Sequence, residues 1–239
     1  MTYWTALPWI RLLTAGCLGL GTFVTISLAA SGNGSVQLSV RSPSGDPVVG
    51  AVVLLEPIGS QTHDSPANAA AAAIDADQRE PVVIDQTDKT FNPRVSLVPT
   101  GGALVFKNSD LFVHHIYSFA PVQRFEIKTP SGATSDPIEF ESDGLVSIGC
   151  NIHDTMLGFI LVSNAPYSGG SNEDGVVALD DVRPGLYTAR LWHPDKRGRG
   201  FEEMEIEVLK GQVSEVTASL DLKTARRNRT GEAGRSSYR

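Results

Sequence analysis

The lack of helical periodicity limits this chain more than any other feature. Apolar residues do not recur at helical spacing. Short alternating or apolar runs are instead broken by Gly, Pro, Asn and Asp. Such runs occupy residues 36–41, 48–55, 82–86, 95–98, 103–107, 115–119, 124–128, 137–141, 145–150 and 158–162. Later ones cover 176–179, 186–192, 203–208 and 213–220. Strand-like runs at spacings of about ten residues indicate all-β sandwiches or barrels. There are too many for one small sandwich, so the sequence predicts two. Apolar residues at 41% and charged residues at 20% argue against wholesale disorder.

Three segments fall outside this pattern. Arg11 precedes an apolar run over residues 12–28, which ends in Ser27-Leu28-Ala29-Ala30. A basic start, a short apolar stretch and small residues form the layout of a secretory signal peptide over residues 1–30. Cleavage after Ala29 or Ala30 leaves no membrane span in the mature chain. The run is also at the lower edge of what an uncleaved anchor needs. Lipidation at Cys17 is a poorer fit, because too little apolar sequence precedes it. Residues 58–80, with the alanine run 69–73, read as a flexible linker. Residues 223–239 hold six basic residues and one acid, and are expected to be a disordered basic tail.

These segments divide the net charge of −7. The body over residues 31–222 holds 13 basic and 26 acidic residues, whereas the tail is basic. An acidic body excludes nucleic acid as the main partner and suits basic protein partners, or solubility alone. The two cysteines divide as well. Cys17 leaves with a cleaved signal, so the exported chain keeps one thiol and no internal disulfide. A lone thiol in an oxidising compartment is open to oxidation unless burial or a metal protects it.

That thiol begins Cys150-Asn-Ile-His153-Asp-Thr-Met156. A thiolate, an imidazole and a thioether thus stand at C-x2-H-x2-M spacing, and His114-His115 lies upstream. One Cys and two His with a distant Met is the ligand set of blue-copper electron-transfer centres. A tight loop after a strand can aim three side chains at one point while a neighbouring strand delivers the other imidazole. Soft sulfur favours Cu(I) and imidazole suits both oxidation states.

Residues 140–162 read F-x3-G-x5-C-x2-H-x2-M-x-G-x-I-x-V, and His114 follows Asn108 by six residues. Residues 81–163 therefore resemble a plastocyanin-type cupredoxin, with a short ligand loop similar to that of amicyanin. Gly149-Cys-Asn-Ile-His-Asp, His114-His115-Ile-Tyr-Ser-Phe and Leu191-Trp-His-Pro resemble a bacterial group often labelled methylamine utilization proteins. The resemblance implies a Greek-key β-sandwich holding one type 1 copper ion. His114, Cys150 and His153 would be strong ligands, Met156 a weak axial one, and His153 the point of electron exit. His115 stands where related cupredoxins commonly carry Asn, which ties their two ligand loops together. Thr155 stands where the closer group commonly carries an aromatic.

Simpler readings apply to the neighbours. His115 follows His114 on an expected strand, so its side chain is expected on the opposite face. His63 and His193 are read as solvated or structural, and Asp154 as exposed. A lone buried Cys is commonly a core thiol, and a Met commonly a gap filler. A catalytic Cys-His pair would not require Met156 or a second imidazole, and no orienting group or oxyanion feature is evident. The chain is expected not to be an enzyme.

Residues 31–57 and 164–222 are each uncomfortable as a separate domain, since the first is too short for its own core. Ser44-Gly45-Asp46-Pro47, Ala51-Val52-Val53, Asp174-Gly175 and Val182-Arg183-Pro184-Gly185-Leu186-Tyr187 resemble a carboxypeptidase-regulatory-like, prealbumin-type sandwich. The usual Asp before the first turn is absent. The resemblance implies one Ig-like sandwich split by the cupredoxin, an insertion that closure entropy tolerates. The alternative makes 36–57 an extension of the cupredoxin.

The leading functional expectation is a periplasmic one-electron carrier between transient redox protein partners. Leu111, Phe112 and Leu157 would border its docking surface. Copper storage or delivery uses the same ligands and stays open, as does a metal-free envelope binding module.

Overall fold

The computed structural model describes residues 32–59 and 80–223. The expected signal peptide, residues 60–79 of the expected linker and residues 224–239 of the expected tail lie outside the described residues, as does His63. No helix occurs among the described residues, so the all-β expectation holds.

In chain order the strands are β1 (Gly34–Arg41), β2 (Val52–Pro57), β3 (Val82–Thr87), β4 (Thr90–Asn92), β5 (Val95–Pro99) and β6 (Gly102–Asn108). There follow β7 (His114–Phe119), β8 (Arg124–Thr129), β9 (Ile138–Phe140), β10 (Gly144–Cys150) and β11 (His153–Ser163). The last are β12 (Tyr167–Gly170), β13 (Val176–Val182), β14 (Gly185–Trp192), β15 (Glu202–Val208) and β16 (Val213–Ser219).

These strands form two pairs of sheets. One pair has the orders β13-β1-β16 and β12-β2-β14-β15, and the other β5-β11-β10-β7-β8 and β4-β3-β6-β9. Residues from both ends of the described chain therefore close one sandwich. β1 lies between β13 and β16, and β2 between β12 and β14. No ladder among the described residues joins β1 or β2 to β3–β11. In the second sandwich strands distant in sequence become neighbours, with β5 parallel to β11 and β3 parallel to β6.

Each sandwich has its own core. Val36, Leu38 and Val40 alternate inward along β1 and pack with Val53, Leu55, Tyr187, Ala189 and Leu191. Ile84, Phe106, Ile116, Phe140, Ile148 and Ile160 fill the other, together with Cys150 and Met156. The apolar run in β2 does not alternate, because it is buried on both faces. Val53 and Leu55 enter its own core, whereas Val52 and Leu54 meet Leu161 of β11 at a seam between the sandwiches. Arg94 and Asp195 form an ion pair across the same seam at 2.7 Å, and Phe159 meets Trp192 edge-on.

The short strands β4 and β12 have no counterpart among the runs expected from the sequence, β13 extends three residues beyond its run, and two strand starts differ by four or more residues. The strand expected from residue 48 starts at Val52, because Gly50 at φ 74° turns the chain first. The strand expected from residue 158 starts at His153, because a two-residue turn reverses the chain directly after Cys150. This second difference shapes the candidate site.

Candidate metal centre

Cys150 ends β10 and His153 begins β11, with Asn151 and Ile152 as the turn between them. Along this hairpin Gly149 pairs with Leu157, yet Cys150 pairs with His153. One strand advances by one residue while the other advances by four, so residues 154–156 bulge. A bulge re-aims the side chains beside it. Here it sets His153 across from Cys150, while Met156 remains in the core cluster that contains the cysteine.

The third donor comes from the neighbouring strand. β7 runs antiparallel to β10 with Ile116 opposite Cys150. His114 lies two residues earlier on the same buried face of β7. Donor atoms of His114, Cys150 and His153 all lie within 4.8 Å of one another. Their rings and sulfur are shielded unequally. His114 and Cys150 are buried, whereas His153 is partly exposed.

The loop before β7 orients the first imidazole. Asn108 is fully buried, and its side chain donates to the carbonyls of Phe112 and Thr129 at 2.8 and 2.7 Å. Its side-chain oxygen accepts the Asp110 amide at 3.0 Å. Asp110 then accepts from Nε2 of His114 at 2.8 Å. The same carboxylate accepts the amides of Asp88 and Lys89 at 2.7 and 3.0 Å. Burial pushes the Asp110 carboxyl up. The Lys89 amide, the His114 imidazole and the Asp88 amide outweigh it and hold the group below the ordinary carboxylate range.

An ionised carboxylate only accepts, so the His114 proton sits on Nε2 and Nδ1 carries a free lone pair. That Nδ1 lies 3.5 Å from Sγ of Cys150. Nδ1 of His153 is buried and has no hydrogen-bond partner. A buried polar atom without a partner is costly, and a bound ion is one way to satisfy it. A thiol, a lone-pair imidazole nitrogen directed at it and an orphaned second imidazole nitrogen are together a soft N/S donor set. They fit copper.

The ring of Phe112 packs against both imidazoles, 5.1 Å from His114 and 5.3 Å from His153 between centroids. Met156 is buried, with an open cleft beside it lined by Thr90, Phe91, Asn92, Arg94 and Thr155. Gly149 leaves room for the Tyr117 ring next to the cysteine. A Cβ there would come within 2.7 Å of the Tyr117 hydroxyl on the adjoining strand.

The other candidates lie elsewhere. His115 faces away from His114. Its Nε2 meets Glu126 at 2.7 Å and its Nδ1 meets the Asn151 side chain at 3.3 Å. His193 belongs to the other sandwich, where it is buried and donates from Nε2 to the Val49 carbonyl at 3.2 Å. Asp154 is exposed on the bulge. Asp110, Asn151 and Glu126 escaped the sequence reading. Asp110 stands four residues before His114, but nothing in a loop sequence shows which carboxylate folds back onto which ring.

No protein-family model and no curated protein matches the sequence. Among solved structures, 35% of the chain aligns with a Cu-containing nitrite reductase from Thermus scotoductus SA-01 at 26% identity and a TM-score of 0.33. The chain spans 22% of that enzyme's length. A proline-to-alanine mutant of amicyanin in its oxidised state aligns with 37% of the chain and 89% of its own, at 17% identity and a TM-score of 0.33. A purple cupredoxin from Nitrosopumilus maritimus aligns over 34% of the chain and 99% of its own, at 20% identity and a TM-score of 0.31.

Proposed function

We propose that this chain is an exported copper protein that carries single electrons between redox proteins. The supporting observation is the donor cluster itself. Three N and S atoms lie within 4.8 Å in a mostly buried space, one oriented by a carboxylate and one left without a partner. In this reading His114, Cys150 and His153 would hold the ion, with the Met156 thioether as a weaker fourth donor. Bound copper supplies the one-electron couple.

The protein's part is to hold these side chains still. Asp110 fixes the His114 tautomer, and the β10–β11 hairpin fixes Cys150 against His153. Phe112, Met156 and the surrounding core exclude water. A donor set that does not move between oxidation states lowers the reorganisation needed for transfer. His153 is the exit, because it alone of the three residues is partly exposed. Leu111, Phe112, Val113 and Ile152 expose apolar surface on the loop and turn that flank the site, which suits brief docking of a partner. The acidic body favours a basic one. No substrate is turned over in this reading.

Residues 81–163 would form the copper domain, inserted in a carboxypeptidase-regulatory-like sandwich built from residues 31–57 and 164–222. The leader over residues 1–30 would direct the chain to the periplasm.

Metal analysis with an optical spectrum of the purified mature protein tests this. One copper per chain, an intense visible thiolate-to-copper band and reversible redox cycling are expected. Retention of Cu(I) without Cu(II) binding would make it a delivery protein, and absence of copper would refute a metal role.

A further inference from the structure

We propose that His115 is a positioning residue, which holds the turn between Cys150 and His153 in its ligand-ready form. The inference rests on the copper reading for its purpose, but its physical content concerns the metal-free chain. The turn consists of Asn151 and Ile152, both exposed. The main chain and side chain of Asn151 both run to one residue. Its amide donates to the His115 carbonyl at 2.9 Å, and its side-chain amide lies 3.3 Å from Nδ1 of the His115 ring.

Glu126 decides the direction of that second bond. The carboxylate of Glu126, on β8, lies 2.7 Å from Nε2 of His115. A carboxylate accepts, so the ring proton sits on Nε2 and Nδ1 is the acceptor that the Asn151 NH2 requires. Three elements are thereby linked in one line: β8 through Glu126, β7 through His115, and the ligand turn through Asn151. His115 stands back to back with His114 on β7. One strand therefore presents a donor inward and a brace for the other two donors outward.

The Glu126 contact alone cannot account for this placement. Glu126 is 61% exposed, and exposed pairs of this kind contribute little to stability. The paired contacts instead fix the position of one residue, the first after Cys150. Partners in the layer around metal ligands orient those ligands, and their loss weakens metal binding about 10- to 100-fold.

The test compares the full mature chain with His115→Ala, Asn151→Ala, Glu126→Ala and Glu126→Gln. Asn151 is exposed, so its variant keeps the fold even if His115→Ala does not. The first readout is amide hydrogen exchange of the metal-free proteins. Exchange at residues 151–153 is expected to rise about five- to tenfold in His115→Ala and Asn151→Ala. Glu126→Ala should show an intermediate rise. Glu126→Gln keeps an acceptor for Nε2–H and should match the native chain.

The second readout is Cu(I) affinity by chelator competition, expected to fall about 10- to 100-fold in the same order. Unchanged exchange at residues 151–153 in both His115→Ala and Asn151→Ala would overturn the proposal. If the exchange pattern holds but the native chain binds no copper, the brace stands and the copper reading fails.

Discussion

His114 and Cys150 approach each other at 3.5 Å, Nδ1 to Sγ, from adjacent strands and 36 positions apart in the chain. The contact depends on a third residue, in the loop before β7. Asp110 holds the far nitrogen of the ring, and so decides which nitrogen faces the sulfur. The same carboxylate caps Asp88 and Lys89, whose φ angles of 52° and 59° are unusual for residues with side chains. One side chain thus braces a ligand and a tight turn of the opposing sheet.

Asp110→Ala should therefore fail in two measurable ways. Copper affinity, read by competition with a Cu(I) chelator, is expected to drop about 10- to 100-fold. The metal-free variant should also lose about 1–3 kcal/mol of stability in denaturant titration, because two turn amides and a buried ring lose their acceptor. Asp110→Asn keeps one acceptor oxygen and should fall between the two.

The cysteine is separable from the fold. Cys150→Ser changes one buried atom in a core whose apolar packing is otherwise untouched. Far-UV circular dichroism is expected to match the native chain. The visible thiolate-to-copper band should vanish, since only the sulfur can produce it. A persisting band would place the chromophore elsewhere.

Gly175 tests the sandwich made from the two ends of the chain. It lies in a turn at φ 70°, and a Cβ there would stand 2.7 Å from the Val40 carbonyl and 2.9 Å from the Val48 amide. Both neighbours are backbone and cannot swing away. Gly175→Ala should destabilise that sandwich by about 2–3 kcal/mol in denaturant titration. The copper spectrum should be unaltered under native conditions.

Deletion of residues 32–57 should be far more damaging. β1 and β2 are both interior strands, so their loss opens β13, β16, β12 and β14 at once. Unpaired strand edges template association. The truncated chain is expected to aggregate in size-exclusion chromatography. A soluble monomer would mean that strands 167–219 close without their partners.

His193 gives the stability a pH dependence with a defined sign. Burial pushes its pKa below the ordinary value, against the opposing pull of Asp195. The unfolded chain therefore binds a proton first as pH falls through about 6.5. Stability is full above that value, declines below it, and levels off beneath the native pKa. Metal-free protein should show this decline in thermal unfolding between about pH 7 and 5. In His193→Gln, which can still donate to Val49, the slope over that window should be shallower.

The sequence alone carried the periods and the chemistry. Short runs broken by turn formers specify strands because a side-chain period of two depends only on neighbours in the chain. The C-x2-H-x2-M spacing was legible for the same reason, since its members lie within one hairpin. Three relationships were not legible. The register shift at Cys150 arises because a two-residue turn and a bulge must close together. The double burial of β2 arises because Val52 and Leu54 find Leu161 from another part of the chain. Asp110, Asn151 and Glu126 acquire their roles only when the fold turns the loop before β7 back onto His114 and brings β8 and the ligand turn to His115. Local spacing names the atoms that can bind. Their protonation, orientation and distance depend on contacts between distant segments, and only the tertiary structure decides those.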